Sequence, residues 1–519
     1  MHFSRRRFRA MMRAAGKALL HGHHHKKDLN VEAPTYHAAT PSTTDATRLA
    51  QSVAPLHQTH AAQSGFVPLS DGRAAFAARV ALADAAECSL DVQYYIWHGD
   101  MTGVLLFDAL VRAAERGVHV RLLLDDNNTV GLDTIITALN AHPNIEVKLF
   151  NAFTTRRWRA LGYLTDFSRL NRRMHNKSFT ADRQVTIVGG RNIGDEYFEA
   201  GDNALFIDVD IMAIGPVVGD VADDFERYWT SDASSPAERV VCQPRTAAAG
   251  ALSSIGEQMA RKPQARAYID AISQQSFVRD LLAGRLRFEW ATVSLVSDNP
   301  DKGLGKAPHY TLVWPRLQQI LGDPTHELEL VSPYLVPTQA GVEAFAGLAQ
   351  RGVKVTLLTN SLEATDIVAV HAGYAKRRRS LLMAGTALFE LKRMASIPKV
   401  RDRGLTGGSG SSLHAKVFTI DRQRVFIGSF NFDPRSQKLN TEMGFIIESP
   451  ALASEMADNI GRLLASHAYQ VRMIGMDGKL EWIDQADSRT TTYRLEPGAS
   501  LWRRVGVKVV ALLPIDWLL

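Results

Sequence analysis

The sequence predicts an α/β protein made of two copies of one folding unit. A strand-like segment, a helix-like segment closed by glycine and a second strand-like segment occur around Gly117 and again around Gly352. A polar motif is also repeated, beginning once at His175 and once at His414. The two glycines are 235 residues apart and the two histidines 239. One unit is therefore duplicated at a nearly constant offset.

The elements of each copy follow from their hydrophobic patterns. In the first copy, SLDVQYYIW and VHVRLLLDD are short apolar runs typical of buried strands, and GVLLFDALVRAAERG between them has helical periodicity. The second copy repeats this order as LELVSPYLV, AGVEAFAGLAQRG and VKVTLLTNS. Alternating strands and helices predict helices packed over a largely buried sheet, present twice.

A chain of 519 residues suits two domains with connections. We expect a basic amphipathic N-terminus and flexible linker at 1–64, a first repeat at 65–240, a connecting segment at 241–310, a second repeat at 311–475 and a C-terminal extension at 476–519. The linker is inferred because residues 28–64 lack sustained periodicity. The chain has two cysteines, Cys88 and Cys242, which give little basis for a disulfide framework.

The net charge of +6 is concentrated at the N-terminus. Residues 1–30 hold eight basic side chains and one acidic one, so the rest of the chain is close to neutral. Basic residues at every fourth position from Arg5 to Lys17 indicate a basic amphipathic helix that lies on an anionic membrane surface. A disordered, solvated tail is the alternative. The near-neutral body favours a lipid partner, and we expect no nucleic acid.

The two polar motifs read HNKSFTADRQVTIVGGRN and HAKVFTIDRQRVFIGSFN. Residues two apart in a strand point to one face, so each histidine should project together with its lysine, and the small residues that follow allow an asparagine to join them. The candidate catalytic side chains are His175, Lys177, Asn192, His414, Lys416 and Asn431. Two lysines and two amides suit phosphate oxygens, and two histidines suit a nucleophile with a separate acid/base. Together they indicate phosphoryl transfer through a phosphohistidine, which requires no metal.

These motifs resemble the HKD signatures of the phospholipase D superfamily, although the first copy has Gly190 where the second has Ser429. DVQYYIW, VGGRNIGDEYF, NSLEATDIVAVHAGYA and LLPIDWLL are further similar to bacterial cardiolipin synthases of the C type, over roughly residues 65–519. The resemblance implies two α/β/α sandwich repeats related by a pseudo-two-fold axis, with the active site between them. It implies no cofactor and no metal.

The motifs also contain or precede four carboxylates. Asp208 and Glu442 are equivalent in the repeat alignment, each eight residues before a proline. The resemblance implies that they hydrogen-bond to the active-site histidines, which fixes the imidazole tautomer and stabilises the imidazolium. Asp182 and Asp421 lie five residues beyond the lysines, past the active end of the strand. We expect them to have a structural role in a turn.

The resemblance implies a peripheral enzyme on the cytoplasmic face of the bacterial inner membrane. It would transfer a phosphatidyl group from phosphatidylglycerol or phosphatidylethanolamine to phosphatidylglycerol, with His175 as nucleophile and His414 as acid/base. A phospholipase D that uses water is the alternative, and a nuclease of the superfamily is a more distant one. The expected partners are phospholipid substrates and an anionic membrane surface. Whether an accessory protein takes part is left open.

Three segments outside the motifs are candidates for contact with lipid, for a cover over the site, or, in the case of the C-terminal tail, for docking at the membrane surface or packing on the domain. Residues 156–173 interleave aromatic and basic side chains, a composition that also suits single-stranded nucleic acid. With the glycine-rich loop at 403–412, this segment flanks the motifs, and the two are candidates for a cover that excludes water. The C-terminal tail is apolar but interrupted by Lys508, Pro514 and Asp516, so it is unsuited to span a bilayer.

Overall fold

The computed structural model describes residues 46–200, 206–241, 256, 258–274, 280, 285–322, 324–365, 367–393, 413–475, 478–485 and 489–513. The basic N-terminal segment and the loop at 403–412 lie outside the described residues, so the expectations for both stay predictions. None of the described helices combines the length and apolarity that crossing a bilayer requires.

The first half of the chain alternates strands with helices. Its described strands are β1 (Ser64–Leu69), β2 (Ser89–Tyr94), β3 (His119–Asp125), β4 (Ile145–Phe150), β5 (Ser178–Ala181), β6 (Val185–Gly189), β7 (Asp210–Ile214), β8 (Ser234–Pro236) and β9 (Glu289–Ser297). Its described helices are α1 (Arg48–Thr59), α2 (Gly72–Ala85), α3 (Met101–Glu115), α4 (Asp133–Leu139), α5 (Arg159–Thr165), α6 (Phe167–Leu170), α7 (Pro216–Trp229), α8 (Ala237–Val240) and α9 (Pro263–Ser273).

The second half follows the same plan and then adds a C-terminal hairpin and helix. Its described strands are β10 (Glu327–Val331), β11 (Lys354–Asn360), β12 (Ala387–Leu391), β13 (Val417–Ile420), β14 (Arg424–Gly428), β15 (Met443–Glu448), β16 (Ala468–Ile474), β17 (Lys479–Asp484) and β18 (Thr491–Tyr493). Its described helices are α10 (Val313–Gly322), α11 (Gln339–Gln350), α12 (Val368–Met383), α13 (Pro434–Lys438), α14 (Pro450–His467) and α15 (Leu501–Ala511).

The strand order shows the duplication directly. In the first half the order is β8-β4-β3-β2-β5-β6-β7-β1, and in the second it is β15-β14-β13-β10-β11-β12-β16-β17-β18. In each half three neighbouring strands run parallel, β2-β3-β4 and β10-β11-β12, and the other pairs are antiparallel. Strand β9 pairs with both β1 and β15, so the two sheets are continuous through it.

The predicted helix boundaries are confirmed at both glycines. The side chain of Asp100 caps the N-terminus of α3, and that of Thr338 caps α11, each accepting a hydrogen bond from a backbone N–H of the first turn. Both helices end just before a glycine with positive φ, 96° at Gly117 and 85° at Gly352. Glycine is favoured there because a Cβ is strained in this conformation.

Helices bury the apolar faces of both sheets, and one core is shared between the halves. Helices α2 and α3 pack over the first sheet, and α10 and α11 contribute to a second core. A third cluster combines Val217 of α7 with Leu452 of α14, and Ile211 of β7 with Phe445 of β15. The two repeats are therefore packed against each other through apolar side chains as well as through β9.

Two stretches outside the predicted repeats contain regular structure. The predicted linker includes α1, which is capped by Thr47 and buries Ala50 and Val53 against the first repeat. The predicted connecting segment at 241–310 contains β9, whose alternating sequence EWATVSLVS carries the period of a strand. The sequence analysis identified neither element, because a single short helix or strand is a weak pattern beside polar neighbours.

Candidate active site

The two repeats meet edge to edge at the two histidines. The N–H of His175 donates to the carbonyl of Thr441 at 2.9 Å, and the N–H of His414 donates to the carbonyl of Ile207 at 3.0 Å. We expected the histidines and their lysines to lie within strands. They instead precede strands β5 and β13. At these positions, backbone hydrogen bonds between the two repeats take the place of hydrogen bonds between neighbouring strands of one sheet.

Each histidine is paired with a carboxylate from the opposite repeat. His175 Nδ1 lies 2.8 Å from Glu442 Oε2 and 3.1 Å from the carbonyl oxygen of Ser429. His414 Nδ1 lies 2.6 Å from Asp208 Oδ2. The side chains are buried, with 6% of His175 and 4% of His414 exposed. The structure thus places Asp208 and Glu442 in equivalent, crossed positions around one site.

These contacts define the tautomers of both imidazoles. An ionised carboxylate and a backbone carbonyl can only accept hydrogen bonds, so Nδ1 of each ring must donate. Nδ1–H on both rings leaves each Nε2 with a lone pair. Within the described part of the chain, nothing hydrogen-bonds to His175 Nε2. Lys416 Nζ lies 3.0 Å from Nδ1 and 3.2 Å from Nε2 of His414, so that lysine is close to both nitrogens of the second ring.

The two predicted lysines are buried beside their histidines. Lys177 Nζ donates to the carbonyl of His175 at 2.6 Å, and Lys416 Nζ donates to the carbonyl of His414. Burial lowers the pKa of Lys177 well below its usual value and, against the attraction of Asp208 and Glu442, lowers the pKa of Lys416 to about 8. Two buried amines thus lie beside the histidines, and a phosphate anion bound there would favour their protonated, ammonium forms.

The two predicted asparagines differ in how they are held. Asn192 is fixed by two bonds: its Oδ1 accepts from the N–H of Ile96 at 3.1 Å, and its Nδ2 donates to the Tyr197 hydroxyl at 3.1 Å. Asn431 has a buried Oδ1 with no hydrogen-bond partner among the described residues. A hydrogen-bond donor such as a substrate hydroxyl would satisfy that oxygen, since buried polar groups are rarely left unpaired.

The departure of the first motif at Gly190 has a steric cause. A Cβ at Gly190 would lie 2.2 Å from Asp208 Oδ1. In the second repeat, the equivalent Ser429 hydroxyl instead donates to the longer Glu442 side chain. Gly190 therefore leaves space for the carboxylate of Asp208, and the Ser429 hydroxyl hydrogen-bonds to that of Glu442.

The two carboxylates have different electrostatic environments. Burial opposes ionisation of Asp208, but His414 and Lys416 outweigh it and lower the pKa of Asp208 to about 2. Burial dominates at Glu442, and despite Lys177 and two serine hydroxyls its pKa is raised to about 7. Asp208 is consequently ionised at neutral pH, and Glu442 is close to its titration midpoint.

Asp182 and Asp421 lie at tight turns at the far ends of β5 and β13 from the histidines. Their φ angles are positive, 49° and 53°. The Asp182 carboxylate accepts from the N–H groups of Cys88 at 2.8 Å and Ser89 at 2.9 Å. The Asp421 carboxylate makes the equivalent bonds to residues 325–327. These hydrogen bonds connect each turn to the start of a neighbouring strand, which is a structural role for both aspartates.

Several residues around the histidines were not singled out by the sequence analysis. The edge of Tyr95 meets the ring of His175 at 4.9 Å between centroids, and Tyr197 meets His414 at 5.1 Å. Asp298 accepts from the N–H of Glu442 at 2.9 Å and pairs with Lys302 at 2.7 Å. The tyrosines lie in segments quoted for the resemblance. Asp298 has no motif of its own, since it acts through the backbone of Glu442.

The aromatic and basic segment forms α5 and α6 beside the first repeat. Two of its polar side chains bind inward: Arg156 contacts the buried carboxylate of Asp126, and Tyr163 donates to Asn127 Oδ1 at 2.9 Å. Its apolar side chains point outward, with Trp158 68% and Leu164 81% exposed. The segment thus presents an apolar surface to its surroundings.

Among the described residues, His98, Asp100 and Glu196 bring three potential metal ligands together. Both oxygens of Asp100 already accept backbone N–H groups, from Gly103 at 3.0 Å and Asp195 at 2.8 Å. These bonds are those of a helix cap, so the cluster gives no independent indication of an ion.

Two HKD motifs that meet at one buried site define a protein of the phospholipase D type. The family model described as "Cardiolipin synthase, PLD-like domain" matches residues 80–229 and 317–464. The chain belongs to this family, which confirms the predicted resemblance and the fold of two phospholipase D-like repeats.

Individual relatives agree with this assignment. The chain is 50% identical to cardiolipin synthase C of Escherichia coli over 473 residues, 91% of this chain and 100% of that protein. It is 31% identical to an uncharacterized protein of Helicobacter pylori, over 76% of this chain and 78% of that one. The crystal structure of phosphatidylserine synthase from Haemophilus influenzae superposes with a TM-score of 0.52 at 12% identity, covering 80% of this chain and 91% of that chain. At that identity the superposition supports the fold alone.

Proposed function

We propose that this chain is a cardiolipin synthase that transfers a phosphatidyl group to phosphatidylglycerol through a phosphohistidine. The observation that carries the proposal is the crossed arrangement of the two histidine–carboxylate pairs, with a buried lysine beside each ring. It supplies a nucleophile, a separate acid/base and charge for the phosphoryl oxygens. The similarity to cardiolipin synthase C supports the lipid substrates.

In the first step, the Nε2 atom of His175 attacks the phosphorus of the donor phospholipid. The bond from phosphorus to the headgroup oxygen breaks, and His414 donates a proton to the departing alcohol. Glu442 and the Ser429 carbonyl hold the Nδ1–H of His175 and so direct its lone pair at the phosphorus. Lys177 and Lys416 neutralise the phosphoryl oxygens.

In the second step, His414 accepts a proton from the hydroxyl of phosphatidylglycerol, whose oxygen attacks the phosphohistidine and releases His175. Burial and Lys416 outweigh the attraction of Asp208 and lower the pKa of His414 to about 3, so the ring is neutral before a substrate binds. A phosphodiester between the lysines adds negative charge and favours the imidazolium that the first step requires. Ionised Asp208 stabilises that imidazolium.

The enzyme is proposed to act peripherally at an anionic membrane, on the cytoplasmic face of the bacterial inner membrane. The exposed apolar residues of α5 and α6 provide a surface on which lipid can approach, and the basic N-terminus adds electrostatic attraction. The segment at 156–173 is also proposed to exclude water, which would otherwise compete with the lipid hydroxyl.

Product analysis by mass spectrometry tests this proposal. With phosphatidylglycerol in mixed micelles, we expect cardiolipin to exceed phosphatidic acid, and the share of phosphatidic acid to rise when Trp158 and Tyr163 are both replaced by alanine. His175→Ala and His414→Ala should each abolish turnover, and the double variant should be little worse than either, because the pair acts as a unit. If phosphatidic acid dominates at saturating phosphatidylglycerol in native membranes, the protein is a hydrolase.

A further inference from the structure

A second candidate site lies in the C-terminal part of the chain, between α12, the β16-β17 hairpin and α15. These elements flank an open cavity of about 730 Å³. Among the described residues, six cations and one carboxylate, Glu496, line it. The cations are Lys376, Arg379, Lys479, Arg494, Arg504 and Lys508. The catalytic histidines do not contribute to this cavity, so it is separate from the site described above.

Among the described residues, Glu496 is the one carboxylate that lines the cavity, and it is engaged by groups outside it. Glu496 forms an ion pair with Arg378, and its Oε2 lies 3.4 Å from His371 Nε2. Neither of these two partners lines the cavity. Arg504 donates to the backbone carbonyl of Glu496 at 2.7 Å, and its Nε is buried with no hydrogen-bond partner among the described residues. The cavity is therefore electrostatically suited to an anion that carries several acceptor oxygens.

The same cavity has an apolar wall that a simple inorganic anion would not use. Ile474, Leu480, Trp482, Leu495 and Val507 line it. Ile474 and Leu495 are exposed, and Trp482 and Val507 are buried. A cationic rim over an apolar wall matches a ligand with a charged head and a hydrocarbon chain.

Helix α15 extends this apolar character onto the protein surface. Its cavity-lining residues 504, 507, 508 and 511 recur at helical spacing. An adjoining face carries exposed apolar side chains, among them Trp502 at 82% and Val509 at 57%, with Leu512 at 85% just beyond the helix. At 3.6 residues per turn, Lys508 lies between the two faces. This combination is typical of a helix that lies in a membrane interface.

We propose that the cavity binds the headgroup of an anionic phospholipid from the bilayer on which α15 rests. The cations hold the phosphate, the apolar wall takes the first part of the acyl chains, and the outer face of α15 enters the interface. The bound lipid anchors the second repeat to the membrane and is not consumed. The site does not depend on the proposed reaction.

Lysine footprinting on the full chain tests the site directly. The probe is vesicles of phosphatidylcholine with or without phosphatidylglycerol, and the chain carries His175→Ala so that the lipid is not consumed. We expect the acetylation rates of Lys479 and Lys508 to fall about tenfold with phosphatidylglycerol at about ten times Kd, while that of Lys306 is unchanged. Unchanged rates at Lys479 and Lys508, or equal protection by inorganic phosphate alone, would overturn the proposal.

A charge-matched pair of variants gives a second, independent measurement. The test variant carries Arg379→Gln, Lys479→Gln and Arg494→Gln, three exposed cavity cations. The control carries Lys306→Gln, Arg351→Gln and Arg462→Gln, three exposed cations that do not line the cavity. A basic residue near an anionic surface contributes about fivefold to binding, so the test variant should sediment with anionic vesicles about a hundredfold more weakly. An equal loss in both variants would show that only net charge matters and would reject the site.

Discussion

Replacing Asp208 with asparagine is expected to lower kcat by about 10³- to 10⁴-fold, the scale seen when a carboxylate that orients a catalytic histidine is neutralised. Asp208 Oδ2 lies 2.6 Å from His414 Nδ1, and the carboxylate is ionised because its pKa is about 2. In the variant, the amide NH₂ can donate to Nδ1. That bond would place the imidazole proton on Nε2, where His414 could no longer accept a proton from the lipid hydroxyl.

The equivalent replacement in the other repeat, Glu442→Gln, is expected to cost only about 10²-fold. His175 Nδ1 is also held by the Ser429 carbonyl at 3.1 Å, which keeps the proton on Nδ1 after the carboxylate is removed. Glu442 is also partly protonated at neutral pH, with a pKa of about 7, so less charge is lost. The difference between the two variants corresponds to about 1.4 to 2.7 kcal/mol in activation free energy.

The comparison uses initial rates of cardiolipin formation at saturating phosphatidylglycerol, quantified by mass spectrometry. Circular dichroism and thermal unfolding of both variants establish that the folded fraction is unchanged. If Glu442→Gln is as damaging as Asp208→Asn, or more so, the Ser429 carbonyl does not substitute for the carboxylate and the assigned tautomers are wrong.

Three further predictions follow from the described contacts and from the sequence. The log of kcat/KM should fall above about pH 8, because burial lowers the pKa of Lys416 to about 8 and the side chain then loses its proton. Lys416→Arg should move this decline to higher pH. If the decline does not move, it belongs to another group. Asp182→Ala should reduce the free energy of unfolding in urea by about 2–3 kcal/mol with kcat unchanged, and the more exposed Asp421→Ala should cost less; a lower kcat in folded protein would contradict a structural role. Deleting residues 1–27 should weaken sedimentation with anionic vesicles and its dependence on salt while activity on detergent-dispersed lipid survives; unchanged binding would place attachment elsewhere.

The sequence predicted the repeated unit well because repetition supplies an internal control. A lone His-x-Lys would have been uninformative, but the same spacing at His175 and His414 marked both strands and the small residues after them. The strands and helices around Gly117 and Gly352 were located for the same reason. Equivalent positions of Asp208 and Glu442 in the alignment identified both carboxylates, although nothing in the alignment showed that each would face the histidine of the opposite repeat.

Features without a second copy or a local pattern were missed. Asp298 supports Glu442 through a backbone N–H, a contact between residues 144 positions apart that no motif records. Strand β9 was overlooked because a single strand is a weak pattern beside polar neighbours. The steric reason for Gly190 became apparent only from its distance to Asp208, since sequence comparison shows the absence of a serine hydroxyl but not the space required by a neighbour.

The crossed histidine–carboxylate pairs carry a consequence for how such a protein can diversify. An unfused repeat would have to assemble with an identical copy. The histidine of each copy would then face the same type of carboxylate, contributed by the other copy. Covalent fusion removes that symmetry, because a substitution in one half is no longer reproduced in the other. The two halves could therefore diverge into an aspartate beside glycine, ionised at neutral pH, and a titrating glutamate beside serine, a difference that suits the separate roles proposed for the two rings.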